Sequence, residues 1–261
     1  MVYDYFEDIV CINLDISFDR RMQSQKYFNE YNIPARFYTV QKHPKGGRYG
    51  CFDSHMKIIK DAYERGLNNI LVFEDDFMPT AAFTEEKIAE AVHFMRTHDD
   101  WDIFYLGYGT VKMDNRHLIP TSIVGADVYS INIVQYNPHL TQCLCYSRKA
   151  MHKLLQEYQN YIEDYHLDIC IASYMDFKNY CIVPMLFDQN FNMNYNIEPN
   201  NAIEAIIKSC YPFYAFCEAN YKISALKYIL NILFFDYKVY SVYIFIITII
   251  VSLCIIMILK F

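Results

Sequence analysis

The chain has 261 residues, 54% of them hydrophobic, and a formal net charge of −7. That length allows one sizeable domain, or a domain with an appendage, and the acidic balance argues against general nucleic-acid binding. Glycines number seven, and no G-x-G-x-x-G or Walker sequence occurs, which argues against a glycine-loop phosphate site.

In chain order, "DIVCINL" (8–14) is a short apolar run that predicts a first strand. Residues 15–31 carry Phe18, Met22, Tyr27 and Phe28 at helical spacing. "ARFYTV" (35–40) predicts a second strand, and "QKHPKGGRYG" (41–50), with a proline and three glycines, predicts a loop. A helix is expected over 52–66, with Asp53 or Ser54 as N-cap and Gly66 as its stop. "NNILVFED" (68–75) predicts a strand, 84–96 a helix capped by Thr84, and "WDIFYLG" (101–107) another strand. Residues 147–161 read as a helix capped by Ser147, 164–175 as a helical continuation, and 180–189 as extended, with Pro184 marking an edge. Strands alternating with helices predict an α/β fold with a mainly parallel sheet. Ligands then collect at the carboxyl ends of the strands.

Residues 239–259 carry no charge. At ~1.5 Å per residue the run reaches about 31 Å, the thickness of a bilayer core. It predicts a C-terminal transmembrane helix, a single-pass anchor, with Tyr240 and Tyr243 at the interface. Residues 201–238 are expected to form a juxtamembrane helical region, and 1–200 the main domain. Lys222, Lys227 and Lys238 outweigh Lys260, which favours a cytosolic-facing N-terminal domain. The nine cysteines (11, 51, 143, 145, 170, 181, 210, 217 and 254) contain no C-x-x-C pair, and no His/Cys cluster has zinc-ligand spacing. Their odd number, with no secretory leader in "MVYDYFEDIV", favours reduced thiols.

The most informative stretch is "LVFEDDF" (71–77), an apolar run that ends in Glu74, Asp75 and Asp76. On an extended backbone Glu74 and Asp76 point the same way. Two converging carboxylates suit a hard divalent cation such as Mg²⁺ or Mn²⁺, which can clamp a diphosphate. A solvated turn after a strand explains the same three residues. Arg20 and Arg21 in "FDRR" offer planar forks for a diphosphate, or are ordinary solvated helix residues. His55 alone suits a buried histidine as well as a functional one.

Five blocks together carry more. "VCINLDISFDRR", "GCFDSHMKIIKDAYERGLNNILVFEDDF", "WDIFYLG", "LCYSRKAMHKLL" and "LDICIA" follow one another over residues 8–190. In their order and spacing the chain resembles glycosyltransferase family 25, which includes lipopolysaccharide glycosyltransferases and procollagen galactosyltransferases. The resemblance implies a GT-A-like fold and an inverting hexosyl transfer, of galactose or glucose, from a UDP-sugar donor to a glycan, lipid-linked or protein acceptor. It also implies Mn²⁺ (or Mg²⁺) held at Glu74 and Asp76. Asn13, Arg20, Ser54, His55 and Asp75 fall on motif positions and become donor-binding candidates, joined by Arg21. Inversion needs a general base for the acceptor hydroxyl. Asp168 is the candidate, with Glu163, Asp164 and His166 as rivals. Two departures stand out: the stretch before "GCFDSH" is short, and Tyr49 precedes Gly50 where the family often has an acid and a small apolar residue. The alternatives are a catalytically silent membrane-anchored relative and a phosphoryl or nucleotidyl transferase.

Overall fold

The strand β3, Asn69–Glu74, has residues 69–73 buried, as a central strand covered on both faces must. Successive side chains alternate between those faces. Leu71 and Phe73 enter one cluster, with Phe28 of α1 (Phe18–Glu30) and Ile88, Val92 and Met95 of α3 (Glu85–Thr97). Ile70 and Val72 enter the other, with Phe52, Met56 and Ile59 of α2 (Gly47–Glu64) and Met151 and Leu154 of α4 (Arg148–Glu157). The result is a sheet between two helical layers. The computed structural model describes residues 2–109, 133–135, 139–182 and 185–190; of Gly109, Ile133–Gln135 and His139 it describes the backbone only.

The remaining strands are β1 (Ile9–Leu14), β2 (Arg36–Val40), β4 (Phe77–Pro79), β5 (Ile103–Gly109), β6 (Ile133–Gln135), β7 (His139–Ser147), β8 (Asn179–Ile182) and β9 (Phe187–Gln189). Their order is β2-β1-β3-β7-β5-β8-β6, with β9 pairing both β4 and β5. The expectation of a mainly parallel sheet is corrected. The β1–β2, β1–β3, β5–β8 and β5–β9 pairs are parallel, whereas β3–β7, β5–β7, β4–β9 and β6–β8 are antiparallel. The reversal comes from β7, which the sequence does not announce because polar Thr141 and Gln142 interrupt its apolar run. Both are nevertheless buried between β3 and β5.

Thr84 and Ser147 cap their helices as expected, accepting from the N–H of Lys87 and of Ala150. Gly66, at φ 81°, ends α2 in the left-handed conformation that glycine adopts without strain. The start of α2 differs from expectation. It begins at Gly47, inside the predicted loop, so Asp53 and Ser54 lie within the helix rather than at its cap. The segment 164–175 is helical only as a short turn α5 (Leu167–Ile169) and a π-helical turn over Cys170–Tyr174. The six described cysteines are free thiols. Among the described residues no helix is long and apolar enough to cross a membrane. The predicted juxtamembrane region 201–238, the span 239–259 and Pro184 lie outside the described residues.

Candidate active site at the end of the third strand

Strand parity divides the acidic triplet. Glu74 closes β3 on the face that carries α2, and the next two residues form a turn. The alternation therefore stops at Glu74 and does not reach Asp76. The Glu74 carboxylate meets α2: its Oε1 lies 3.4 Å from Cys51 Sγ and 3.4 Å from His55 Nε2, and it accepts from Thr141 Oγ1. Burial works against its charge, but His55, Thr141 and Cys51 outweigh it and hold the carboxyl below its usual range.

Asp75 turns to the opposite side. Asn13 Nδ2 donates to its Oδ2 at 2.7 Å, and Arg20 Nη1 to its Oδ1 at 2.7 Å. The Ser24 hydroxyl donates to its backbone carbonyl. Asp76 Oδ2 accepts from Gln189 Nε2 at 3.0 Å and from Arg20 Nη1 at 3.4 Å. Its other oxygen, Oδ1, is buried without a hydrogen-bond partner. Burial first, and the Glu74 charge second, push the Asp76 carboxyl up to about 7. One guanidinium thus pairs with both buried aspartates, and Asp75 titrates above its usual range despite the ion pair, because burial outweighs Arg20 and Asn13.

The acids open onto a cavity of about 130 Å³, whose walls include Arg20, Ser54, Glu74, Asp75, Asp76 and Gln189. Its rim comes from Gln41, Lys42 and His43 after β2 and from Gly47, Gly50 and Cys51 at the start of α2. Of the residues singled out from sequence, Arg20, Ser54 and the three acids line it. Asn13 supports Asp75 from behind. Arg21 lies elsewhere, over the Phe37 ring and bonded to Thr39. Ser54 Oγ also bonds back to the Gly50 carbonyl. His55 is fully buried, and its Nδ1 is 3.0 Å from the Tyr146 hydroxyl.

Asp168 is outside the cavity lining but close by. Its Oδ2 accepts the N–H of Leu140 at 3.1 Å and its Oδ1 that of Ile169 at 2.9 Å. Leu140 sits at φ 69°, an uncommon conformation for its type, and the next residue is Thr141, the partner of Glu74. Among the rivals, Glu163 is engaged by Lys45 and Tyr49, and these two hold its carboxyl below the usual range. Arg48 pins the same segment through the carbonyls of Ile162, Glu163 and Tyr165. Sequence reasoning missed Lys42, Gln189 and Thr141. The first sits in a loop with no motif, and the others are brought in by pairings distant in sequence.

The residues present fit a hard divalent cation. The excess carboxylate charge and the orphaned Asp76 Oδ1, both at the wall of one cavity, are what such an ion would satisfy.

The profile of glycosyltransferase family 25 (LPS biosynthesis protein) matches residues 38–171, just over half of the chain. The chain belongs to glycosyltransferase family 25. It is 38% identical over 69 residues to procollagen galactosyltransferase 1-A of Xenopus laevis, covering 26% of this chain and 11% of that protein. It is 35% identical over 79 residues to inactive glycosyltransferase 25 family member 3 of Mus musculus, covering 30% and 12%. The match to these relatives thus spans only about a tenth of their length. Among solved structures, a glycosyltransferase involved in the glycosylation of the major capsid of PBCV-1 superposes with a TM-score of 0.42 at 10% identity, covering 77% of this chain and 99% of that one. A197 from STIV gives 0.36 at 8% identity, covering 74% and 100%. Both scores lie below 0.5 and add no weight to the assignment.

Proposed function

We propose that this family 25 domain is a metal-dependent glycosyltransferase of GT-A-like fold, moving a hexose, galactose or glucose, from a UDP-sugar to a glycan, lipid-linked or protein acceptor. The observation that carries the reading is the cavity walled by Glu74 and Asp76, with a buried carboxylate oxygen left unbonded. Glu74 and Asp76 would hold Mn²⁺ (or Mg²⁺), and bound there the ion would supply charge for a diphosphate and its departure. Arg20 and Asn13 position Asp75, and Arg20 neutralises part of the cluster, rather than contacting the donor as a free fork. Lys42, exposed on the rim, takes the diphosphate contact that Arg20 and Arg21 were expected to make. Ser54 contributes to the donor wall, with His55 behind it.

Asp168 is proposed as the base that deprotonates the acceptor hydroxyl in an inverting transfer. Its hydrogen bonds fix its orientation beside Leu140. The uncharged run 239–259 is proposed to cross a bilayer, with the domain on the cytosolic side.

Incubating the full chain with UDP-sugars and Mn²⁺, and measuring UDP release with and without acceptor glycans, tests the proposal. A second reading, a catalytically silent relative, is favoured by the match to a mouse family member whose name marks it as inactive. Metal-dependent UDP binding without turnover of any UDP-hexose would establish that reading instead.

A further inference from the structure

The structure groups Cys51, His55 and Glu74 so that Sγ, Nε2 and a carboxylate oxygen all lie within 4.8 Å of one another. Cys51 and His55 are four apart on α2, hence on one helix face. Glu74 is delivered by the end of β3. The sequence shows no zinc-ligand spacing because the third ligand lies far along the chain. In a tetrahedral zinc site, ligands at about 2.0–2.3 Å from the ion stand about 3.3–3.8 Å apart. The two distances to Glu74 Oε1, both 3.4 Å, fall in that range.

The imidazole is also supported as a metal-binding histidine is. His55 Nδ1 faces the Tyr146 hydroxyl at 3.0 Å. With metal bound, the ring proton would sit on Nδ1 and be donated to Tyr146, leaving the Nε2 lone pair for an ion in place of the hydrogen bond to Glu74. Cys51 and Glu74 both line the cavity, from which a water would supply the fourth ligand.

We propose that Cys51, His55 and Glu74 form a second metal site, selective for zinc or a comparably soft divalent ion, and distinct from the hard-cation site of Glu74 and Asp76. A thiolate, an imidazole and one carboxylate are the ligand set of zinc, whereas Mn²⁺ and Mg²⁺ prefer oxygen. On binding, the Cys51 thiol gives its proton to solvent and the sulfur donates an electron pair to the ion; nothing is oxidised. Because Glu74 serves both sites, zinc there would compete with the ion used for donor binding, a consequence that rests on the function proposed above. The site itself does not.

Titration of the chelator-stripped full chain with Co²⁺ reads the site through its thiolate-to-metal charge-transfer absorption. The expected result is one equivalent of a tetrahedral thiolate species, displaced by Zn²⁺. It should be lost in Cys51→Ser and His55→Gln, weakened about 10–100-fold in Tyr146→Phe, and retained in Asp76→Asn. Peptide mapping of the wild-type chain should show Zn²⁺ protecting Cys51 from alkylation, which needs no variant to fold. A band that persists in Cys51→Ser, or a Cys51 alkylated equally fast with and without Zn²⁺, would overturn the site. Loss of the band in folded Asp76→Asn would overturn the separation of the two sites. Absence of UDP-sugar turnover would bear on the proposed activity and leave the Co²⁺ result standing.

Discussion

Arg20 and Asp75, fifty-five residues apart, meet through Nη1 and Oδ1 at 2.7 Å in the interior of the site, with about a tenth or less of either side chain exposed. Arginine at the start of α1 is therefore not a free anion receptor. It is the counter-charge that lets an acidic turn be buried at the end of β3.

Removing that counter-charge leaves Asp75 buried and uncompensated. Arg20→Met is expected to destabilise the fold by about 3–5 kcal/mol, with Asp75→Asn costing less. The double variant should lose less than the two losses added, because the partners are in contact. Urea midpoints of the four proteins measure this. Strict additivity would show that the pair is not coupled.

Asp76 makes stability depend on pH when no metal is bound. An unfolded aspartate titrates near ~3.9, whereas Asp76 in the fold is pushed up to about 7. Below about pH 4 it is protonated in both states and costs nothing. Between those values the folded chain holds a proton that the unfolded chain has released, so stability falls as pH rises and then levels off above about 7. In chelator, Asp76→Asn should melt with the wild type near pH 4. At pH 8 it should melt several degrees higher, at about 2–4 °C per kcal/mol for a domain of this size. Added Mn²⁺ should raise the wild-type melting temperature and leave the variant unmoved. Equal melting of both proteins at pH 8 in chelator would contradict the assigned burial penalty.

Asp168→Asn separates chemistry from binding. As the base, it should keep the affinity for UDP with Mn²⁺ by calorimetry and lose transfer by about 10²–10⁴. Full transfer activity would remove Asp168 from the mechanism. Parallel loss of binding would instead assign it to placing Leu140 and Thr141 against Glu74.

Lys42→Ala tests the rim. A charge-assisted contact to a diphosphate is worth about 1.5–3 kcal/mol. At an exposed position about a tenfold rise in the UDP dissociation constant is expected, shrinking as salt is raised. The melting temperature should not move. An unchanged dissociation constant at low salt would exclude Lys42 from donor recognition.

The membrane proposal has its own measurement. Full-length protein should stay with membranes through carbonate extraction at high pH, and a chain lacking 239–259 should not. Release of the full chain into the wash would overturn the span.

Local order was legible where one residue type answers one local need. Thr84 and Ser147 cap helices because their hydroxyls can reach the free N–H groups of the first turn. Gly66 ends α2 because its φ is positive. The unbroken apolar run of β3 announces a strand buried on both faces, and its acidic end marks the site. The family blocks place Arg20, Ser54 and Glu74–Asp76 together before any coordinates. What tertiary structure alone decided were the relations that depend on partners distant in sequence. The direction of β7 was hidden because Thr141 and Gln142 look like solvent-facing residues until β3 and β5 enclose them. Alternation sends the Glu74 carboxylate toward α2 and Asp75 toward α1, and the turn that follows β3 keeps Asp76 from sharing the face of Glu74. The fold likewise buries Arg20 beside Asp75 and Asp76 as their counter-charge, a pairing between residues distant in sequence. A sequence states which charges are present, but their roles follow from which of them the fold removes from water together.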